Sequence, residues 1–323
     1  MPRVLVVAPN WIGDALMAQP LLARLHEKRP GLEIDVLAPP WVAAVVRRMP
    51  EVARVVEAPF RHGSLDLRLR WRLGRELRAA GYQQAIILPN TWKSALVPFL
   101  ADIPVRSGYV GESRYGLLNL VYRKAEGRPM PEHYAALAER PGDAPRLPLP
   151  APSLRFARHH VEATKARFGA PGRYIALCPG AEYGPAKRWP HFAALAPRLP
   201  FPAVLLGSAR DAPAAEGIAG LSLVGRTTLD EAVDLLAGAE VVVSNDSGLM
   251  HVAAALGRPQ VALFGSSSPL HTPPASPRAR VLWLRVECSP CYQRECPLGH
   301  FRCMRDMAPD LVLREIESLR EAA

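Results

Sequence analysis

Short apolar runs that stop at proline, glycine or a polar loop, and pass at once into a helical pattern, recur along this chain. "RVLVVAP" (3–9), "EIDVLAP" (33–39), "RVVEAP" (54–59) and "QAIILPN" (84–90) read as strands. A helix follows each: Ala15 to about Arg29, one from Trp41, an arginine-rich one around 68–80, and one opening at Trp92–Lys93. Leu16, Pro20, Leu21 and Leu25 give the first helix its apolar face. Strands that alternate with helices in this way build parallel sheets, because each crossover returns the chain to the starting edge.

The pattern breaks once. "ERPGDAPRLPLPAPSLR" (139–155) is rich in proline and has no apolar period, so it reads as a linker. A second series then begins with strands at 173–180, 201–208, 221–225, 240–244 and 260–269. Thr228 and Glu231 form a capping box that starts a helix through Leu236, and Gly238 ends it. An amphipathic helix over about 309–320 closes the chain and is open to packing back on the first domain. The fold class expected is therefore α/β, with two Rossmann-like doubly wound domains, 1–150 and 151–323, facing a central cleft. Ligands of such sheets sit beyond the carboxyl ends of the strands.

Composition narrows the function classes. The chain has 323 residues, 49% of them hydrophobic, which is ample for two cores. No apolar run approaches the roughly 20 residues that span a bilayer. The opening "MPRVLVVAPNWIGD" reads as a buried strand and lacks the apolar core of a signal peptide, so a cytoplasmic protein is expected. Net charge is +10; residues 1–150 carry 21 basic and 14 acidic side chains, net +7, and residues 151–323 carry 19 and 16, net +3. The excess suits an anionic membrane surface or an acidic substrate, or serves solubility alone. No aromatic-studded RNA-binding motif and no zinc finger with histidine spacing is present, and no nucleic-acid partner is expected.

The chemistry concentrates where strands end. In "VVVSNDSGLMHVAAALG" (241–257), Asp246, Ser247 and Gly248 stand between a strand's carboxyl end and a helix's amino end, where unpaired N–H groups and the helix dipole attract anions. Plain helix capping is the competing reading for Asp246 and Ser247. Asp246 would repel a phosphate, so it suits holding the loop or meeting a sugar hydroxyl. His251 lies four residues after Ser247 on the same helix face and could equally be packing. "CPGAEYGPAKRWPHF" (178–192) carries Gly180, Glu182 and Lys187, and one lysine at such a mouth can neutralise a diphosphate unless it is simply solvated. "GSARD" (207–211) offers Ser208 and Asp211, the latter suited to ribose hydroxyls. In the first domain, "APNWIGDALMAQP" (8–20) puts Asp14 at a helix start, as a general base for a hydroxyl nucleophile or as a cap. "PNTWKSAL" (89–96) adds Lys93 and Ser94 for an acidic partner.

Six stretches in order carry a resemblance over nearly the whole chain: "NWIGDALMAQPLL", "PNTWKSAL", "SGYVGESRYG", "PGAEYGPAKRWP", "SNDSGLMHVAAALGRPQVALFGSSSP" and "CSPCYQRECPLGHFRCM". Together they resemble the ADP-heptose:lipopolysaccharide heptosyltransferases, glycosyltransferase family 9, nearest to the heptosyltransferase II branch. The resemblance implies a GT-B architecture with an N-terminal acceptor-binding domain and a C-terminal ADP-sugar-binding domain. It implies transfer of L-glycero-D-manno-heptose with inversion to an anionic lipopolysaccharide inner core, with no cofactor and no catalytic metal. Asp14 corresponds to the base and Lys187 to the lysine on the diphosphate. Gly180, Glu182, Ser208, Asp211, Asp246, Ser247, Gly248, Met250 and His251 correspond to the donor side, and Asn10, Trp11, Gly13, Asn90, Lys93, Ser94 and Arg114 to the acceptor side. The basic first domain then has an acidic glycolipid to meet, with peripheral contact at the cytoplasmic face of the inner membrane.

Three other readings compete. A nucleotide-sugar epimerase of the same two-domain architecture would need no acceptor, and heptosyltransferase I is a sibling activity within the family. A non-enzymatic binding protein would tolerate loss of Asp14. Cys288, Cys291, Cys296 and Cys303 are spaced C-x2-C-x4-C-x6-C, enough thiolates for a tetrahedral metal, yet unlike the standard zinc or iron–sulfur patterns. They read as a structural zinc site, as reduced thiols stabilising a loop, or as a redox disulfide.

Overall fold

The computed structural model describes residues 2–60 and 64–322. The chain divides into two compact units, Met1–Ala151 and Pro152–Ala323. The first holds strands β1 (Arg3–Val7), β2 (Glu33–Ala38), β3 (Val52–Glu57), β4 (Gln84–Ile87), β5 (Val105–Tyr109) and β6 (Leu120–Tyr122). They lie in the order β3-β2-β1-β4-β5-β6, every neighbouring pair parallel. The second holds β7 (Ile175–Cys178), β8 (Ala203–Leu205), β9 (Leu221–Ser222), β10 (Val241–Asn245), β11 (Gln260–Phe264) and β12 (Ala279–Trp283), in the order β12-β11-β10-β7-β8-β9, again all parallel. Counted within each unit, both orders are 3-2-1-4-5-6, the doubly wound arrangement from which the GT-B architecture is built.

The central strands of both sheets are the apolar runs seen in the sequence. Val4, Leu5 and Val6 in β1 and Val241, Val242 and Val243 in β10 are almost wholly buried, as strands with helices on both faces must be. The helix expected from Ala15 to Arg29 is in fact two, Ile12–Met17 and Gln19–Lys28. Pro20, near the start of the second, has no N–H for a continuing helix, and the break falls at Ala18. The capping box forms as the sequence predicts: Glu231 N donates to Thr228 Oγ1 and Thr228 N to Glu231 Oε2, and the helix runs Leu229–Gly238.

Among the elements that went unseen in the sequence are three strands and one longer helix. β5 ("VRSGY") has no apolar period; its Ser107 is buried because the hydroxyl donates to Ala85 O across the ladder. β6 is short, and β12 is a partly exposed edge strand. The helix Arg158–Phe168 fully buries only Val161 and Thr164, too few for a visible stripe, and ends on Gly169 in the left-handed conformation. The last helix, Pro309–Glu321, places Val312, Ile316 and Leu319 in the core of the second unit beside Ile175, Val243 and Leu263, so its apolar face is used there.

Candidate functional site

In each sheet the strand order reverses between the unit's first and fourth strands, where the helices that follow depart to opposite faces and leave a crevice. In the second unit those strands are β7 and β10, paired from Val241↔Ile175 to Ser244↔Cys178. The segments leaving them are Pro179–Gly180 and Asn245–Asp246–Ser247. The two most anion-directed motifs of the sequence, 59 residues apart, are thus joined by topology.

Asn245, which the sequence reading passed over, stitches them. It is fully buried, donates from Nδ2 to Pro179 O at 2.7 Å, and accepts from Trp189 N at 3.1 Å. Its sequence signal was an amide, after Ser244, at the end of a strand that opens with three valines. Next to it, Asp246 Oδ2 accepts from Lys187 Nζ at 2.5 Å and from the Ser267 hydroxyl. Asp246 therefore holds the loop through the lysine. Lys187, on the 3₁₀ turn Pro185–Lys187, also lies over the Tyr183 ring at 4.9 Å. An ammonium has three donors, so one spent on Asp246 leaves two for an anion.

Ser247 occupies the cap position of the helix Gly248–Ala255, but makes no side-chain capping bond; its hydroxyl lies 3.2 Å from that of Ser244. The plain capping reading is thus not what these residues do. The helix end keeps its backbone donors and positive dipole for another partner.

Other donor-side candidates divide. Met250 is fully buried with Ala262 and Phe264 and packs as a core residue, on a helix that is apolar on every side but for His251. His251 is buried too, and burial, ahead of the opposing pull of Asp246 and the push of Lys187, lowers its pKa to about 4. It is a neutral imidazole at physiological pH. Gly248 opens the helix after β10, and Gly180 follows β7, where a Cβ would fall 2.1 Å from Asp211 Cγ, so the backbone at 180 needs glycine. Asp211 Oδ2 caps its own turn, accepting from Ser208 N and Oγ, both at 2.8 Å. Glu182 pairs with Arg210 at 2.7 Å on the surface.

The first unit repeats the arrangement at β1 and β4. Asn10 and Trp11 are exposed just after β1, and Asp14 is half-buried in the first turn of Ile12–Met17, beside buried Gly13. Asp14 lies near enough to Tyr134 to help burial, the larger cause, raise that phenol's pKa. After β4, Asn90 and Lys93 are half-buried and Trp92 is exposed. Two acceptor-side candidates turn inward. Ser94 donates to Thr91 O at 2.6 Å, and Arg114, only 3% exposed, donates to Tyr109 O at 2.7 Å, to Thr91 O at 3.3 Å and to Pro89 O, and reaches Asn90 Oδ1 at 3.4 Å. Its guanidinium is spent on the loop, which makes it a peg for Asn90–Ser94 instead of a hand extended to an acceptor.

The five cysteines are free thiols. Among the described residues, no group of three or more His, Cys, Asp or Glu is placed to hold a metal ion. None of the described helices is long and apolar enough to cross a membrane.

Residues 70–302 match the family model for "Glycosyltransferase family 9 (heptosyltransferase)". The chain is similar to the lipopolysaccharide heptosyltransferase 2 of Escherichia coli K12, 43% identical with 98% of each chain covered. It is 39% identical to the lipooligosaccharide heptosyltransferase 2 of Haemophilus influenzae, over 98% of this chain and 99% of that one. Among solved structures, ADP-heptose lps heptosyltransferase II of E. coli superposes with a TM-score of 0.89 at 40% identity, covering 99% of this chain and 100% of that one.

Proposed function

Since the chain belongs to glycosyltransferase family 9, the heptosyltransferases, we propose that its two strand-end sites bind an ADP-heptose donor and the anionic inner core of lipopolysaccharide. The protein is a glycosyltransferase of the lipopolysaccharide heptosyltransferase 2 type. The observation that carries the donor assignment is the Lys187–Asp246 pair beside the uncapped end of Gly248–Ala255, at the switch point of the second sheet. In a single displacement with inversion, Asp14 takes the proton of the acceptor hydroxyl as its oxygen attacks the anomeric carbon. The bond to the diphosphate breaks, and the charge growing on ADP meets Lys187 and the helix end, already oriented for it. Ser247 supplies a hydroxyl donor to the same phosphates, and Asp211 keeps one carboxylate oxygen for a ribose hydroxyl.

The acceptor side rests on Asn10, Trp11, Asn90 and Lys93, with Ser94 and Arg114 holding their loop. Peripheral contact with an anionic membrane face fits the helix Leu67–Arg78, where Arg68, Arg72 and Arg75 are exposed alongside Trp71. Guanidinium groups and an interfacial aromatic are what a headgroup layer attracts.

Incubating the purified protein with ADP-heptose and heptosylated or unheptosylated core, and reading product masses, tests this. One added heptose on the heptosylated core is the expected product. Asp14→Asn should bind ADP normally and transfer about 10² to 10⁴ times more slowly. An Asp14→Asn enzyme of wild-type rate would remove Asp14 as the base, and conversion of the nucleotide sugar without acceptor would favour an epimerase.

A further inference from the structure

The segment after β12 has no part in the chemistry above, yet its loop carries Cys288, Cys291 and Cys296 and the short helix Arg302–Arg305 that follows carries Cys303, four of the five cysteines. Cys288, Cys291, Cys296 and Cys303 line one small cavity together with His300 and Ser266. The Ser266 hydroxyl is buried there without a hydrogen-bond partner. The four thiols are not equivalent. Cys296 Sγ accepts the N–H of Phe301 at 3.4 Å, and the amides of Leu298, Gly299 and His300 also point at it. Burial, the largest single influence, pushes its pKa up, but these backbone donors together outweigh it and bring the pKa below the usual thiol value. Cys303 goes the other way, up to about 11, through burial and the charges of Cys288, Cys291 and Cys296. Cys296, half-buried and held by backbone N–H groups that favour its thiolate form, shares the cavity with three further thiols, the pairing that thiol oxidation requires.

The same loop supports the lysine site. Ala186 N donates to Arg294 O at 3.0 Å, the Tyr183 hydroxyl donates to Tyr292 O, and Tyr292 N donates to Ser266 O at 2.7 Å. Gly184, at φ +149°, packs so closely that a Cβ would fall 2.5 Å from Arg294 O. Residues 183–187, which carry Lys187, thus rest on residues 292–294. A covalent link that redraws the cysteine loop alters that support.

We propose that Cys296 is a hydroperoxide-sensitive modification site, whose oxidation and capture by a second thiol of the same cavity displaces the loop that supports Lys187. The thiolate attacks one peroxide oxygen; the O–O bond breaks, and the departing alkoxide or hydroxide takes up a proton. The sulfenic acid so formed is attacked at sulfur by a cavity thiol. An S–S bond forms, the S–O bond breaks, and hydroxide leaves with the thiol's proton as water. Two thiols are oxidised and one peroxide is reduced. A cellular dithiol reverses the change, as is usual for redox-sensing disulfides in reducing compartments. The thiol chemistry stands independently; only its effect on nucleotide binding rests on the donor-site assignment.

The test treats the intact protein with hydrogen peroxide in the presence of a sulfenic-acid-trapping diketone, then maps modified peptides. Cys296 should label first, and without the trap a dithiothreitol-reversible disulfide joining it to Cys288, Cys291 or Cys303 should appear. Cys296→Ser should abolish both, whereas Cys178→Ser, in the core of β7, should change neither. Calorimetry with ADP should then show about tenfold weaker binding to the oxidised protein, restored by reduction. First labelling of another cysteine, equal labelling of all four, or a bound metal that must be stripped before any thiol reacts would overturn the proposal. Correct oxidation with unchanged ADP affinity would overturn its link to Lys187. Absence of ADP binding by the reduced protein would instead count against the donor site itself.

Discussion

Protonating His251 should cost the fold about 3 kcal/mol, and the loss should fall within a defined pH window. The ring is 6% exposed, on a helix whose residues Met250 to Ala255 are all buried. Burial leads the causes that hold its pKa down to about 4; Asp246 opposes and Lys187 assists. In the unfolded chain an imidazole titrates near about 6.5. Above that pH both states are neutral, and the full stability is present. As pH falls from about 6.5 towards about 4, the unfolded chain binds a proton that the folded chain refuses, and stability declines. Below about 4 both states are protonated and this decline stops. The gap between the two values, at about 1.4 kcal/mol per pH unit, gives about 3 kcal/mol in total.

Urea unfolding from pH 7.5 to pH 4, followed by the tryptophan emission of the second unit, from buried Trp189 and partly buried Trp283, measures it. Trp189 is buried in the second unit, whereas the first unit's Trp11, Trp41, Trp71 and Trp92 are exposed in the folded state and contribute little change. His251→Gln removes the titrating group, so whatever its constant cost, the difference between variant and wild type should shrink by about 3 kcal/mol across the window. Parallel profiles would show that His251 is solvated or charged in the folded protein, and the buried neutral ring would have to be abandoned.

Other perturbations separate binding from scaffolding. Lys187→Ala should weaken ADP far more than adenosine in calorimetry, because an ammonium that meets phosphates offers nothing to the nucleoside; equal losses would make Lys187 structural. Arg114→Met should destabilise the first unit by about 3 kcal/mol, since it strands buried carbonyls of Tyr109, Pro89 and Thr91, and Arg114→Lys should restore little because a single ammonium cannot span them. An unchanged melting temperature with a raised acceptor KM would return Arg114 to the acceptor. Raising salt should raise the acceptor KM more than the donor KM, as exposed charges are screened beyond roughly 8 Å at physiological ionic strength; Lys93→Ala should flatten the acceptor's response, and equal slopes for both substrates would leave the basic surface without a binding role.

What the sequence revealed, and what it hid, divide along the range of the forces involved. β1, β4, β7, β8, β10 and β11 were legible because a strand covered on both faces is apolar along most of its length, and β2 was legible despite its buried Asp35 because Ile34 and Val36 to Ala38 flank it. β5 was not, because its burial depends on Gln84 and Ser107 satisfying one another across a ladder, at 3.2 Å, between residues 23 apart. The same distinction runs through the site. Asp246 and Lys187 each looked anion-directed, for local reasons: a strand end, a helix start, a charge. That they bind each other depends on β7 and β10 being neighbours, which no local pattern states. Arg114 shows the converse error. A charged residue in a polar loop reads as exposed, yet here the loop closes around it, and its charge is desolvated enough to lower its pKa. Met250 was carried into the site by its neighbours, although the run Gly248–Ala255, apolar on every side but for His251, already marked a helix buried all round. Residues whose role is set by what they meet across the sheet are therefore the ones that a strand-by-strand reading assigns last, and Asn245, which joins both strand ends, is the clearest of them.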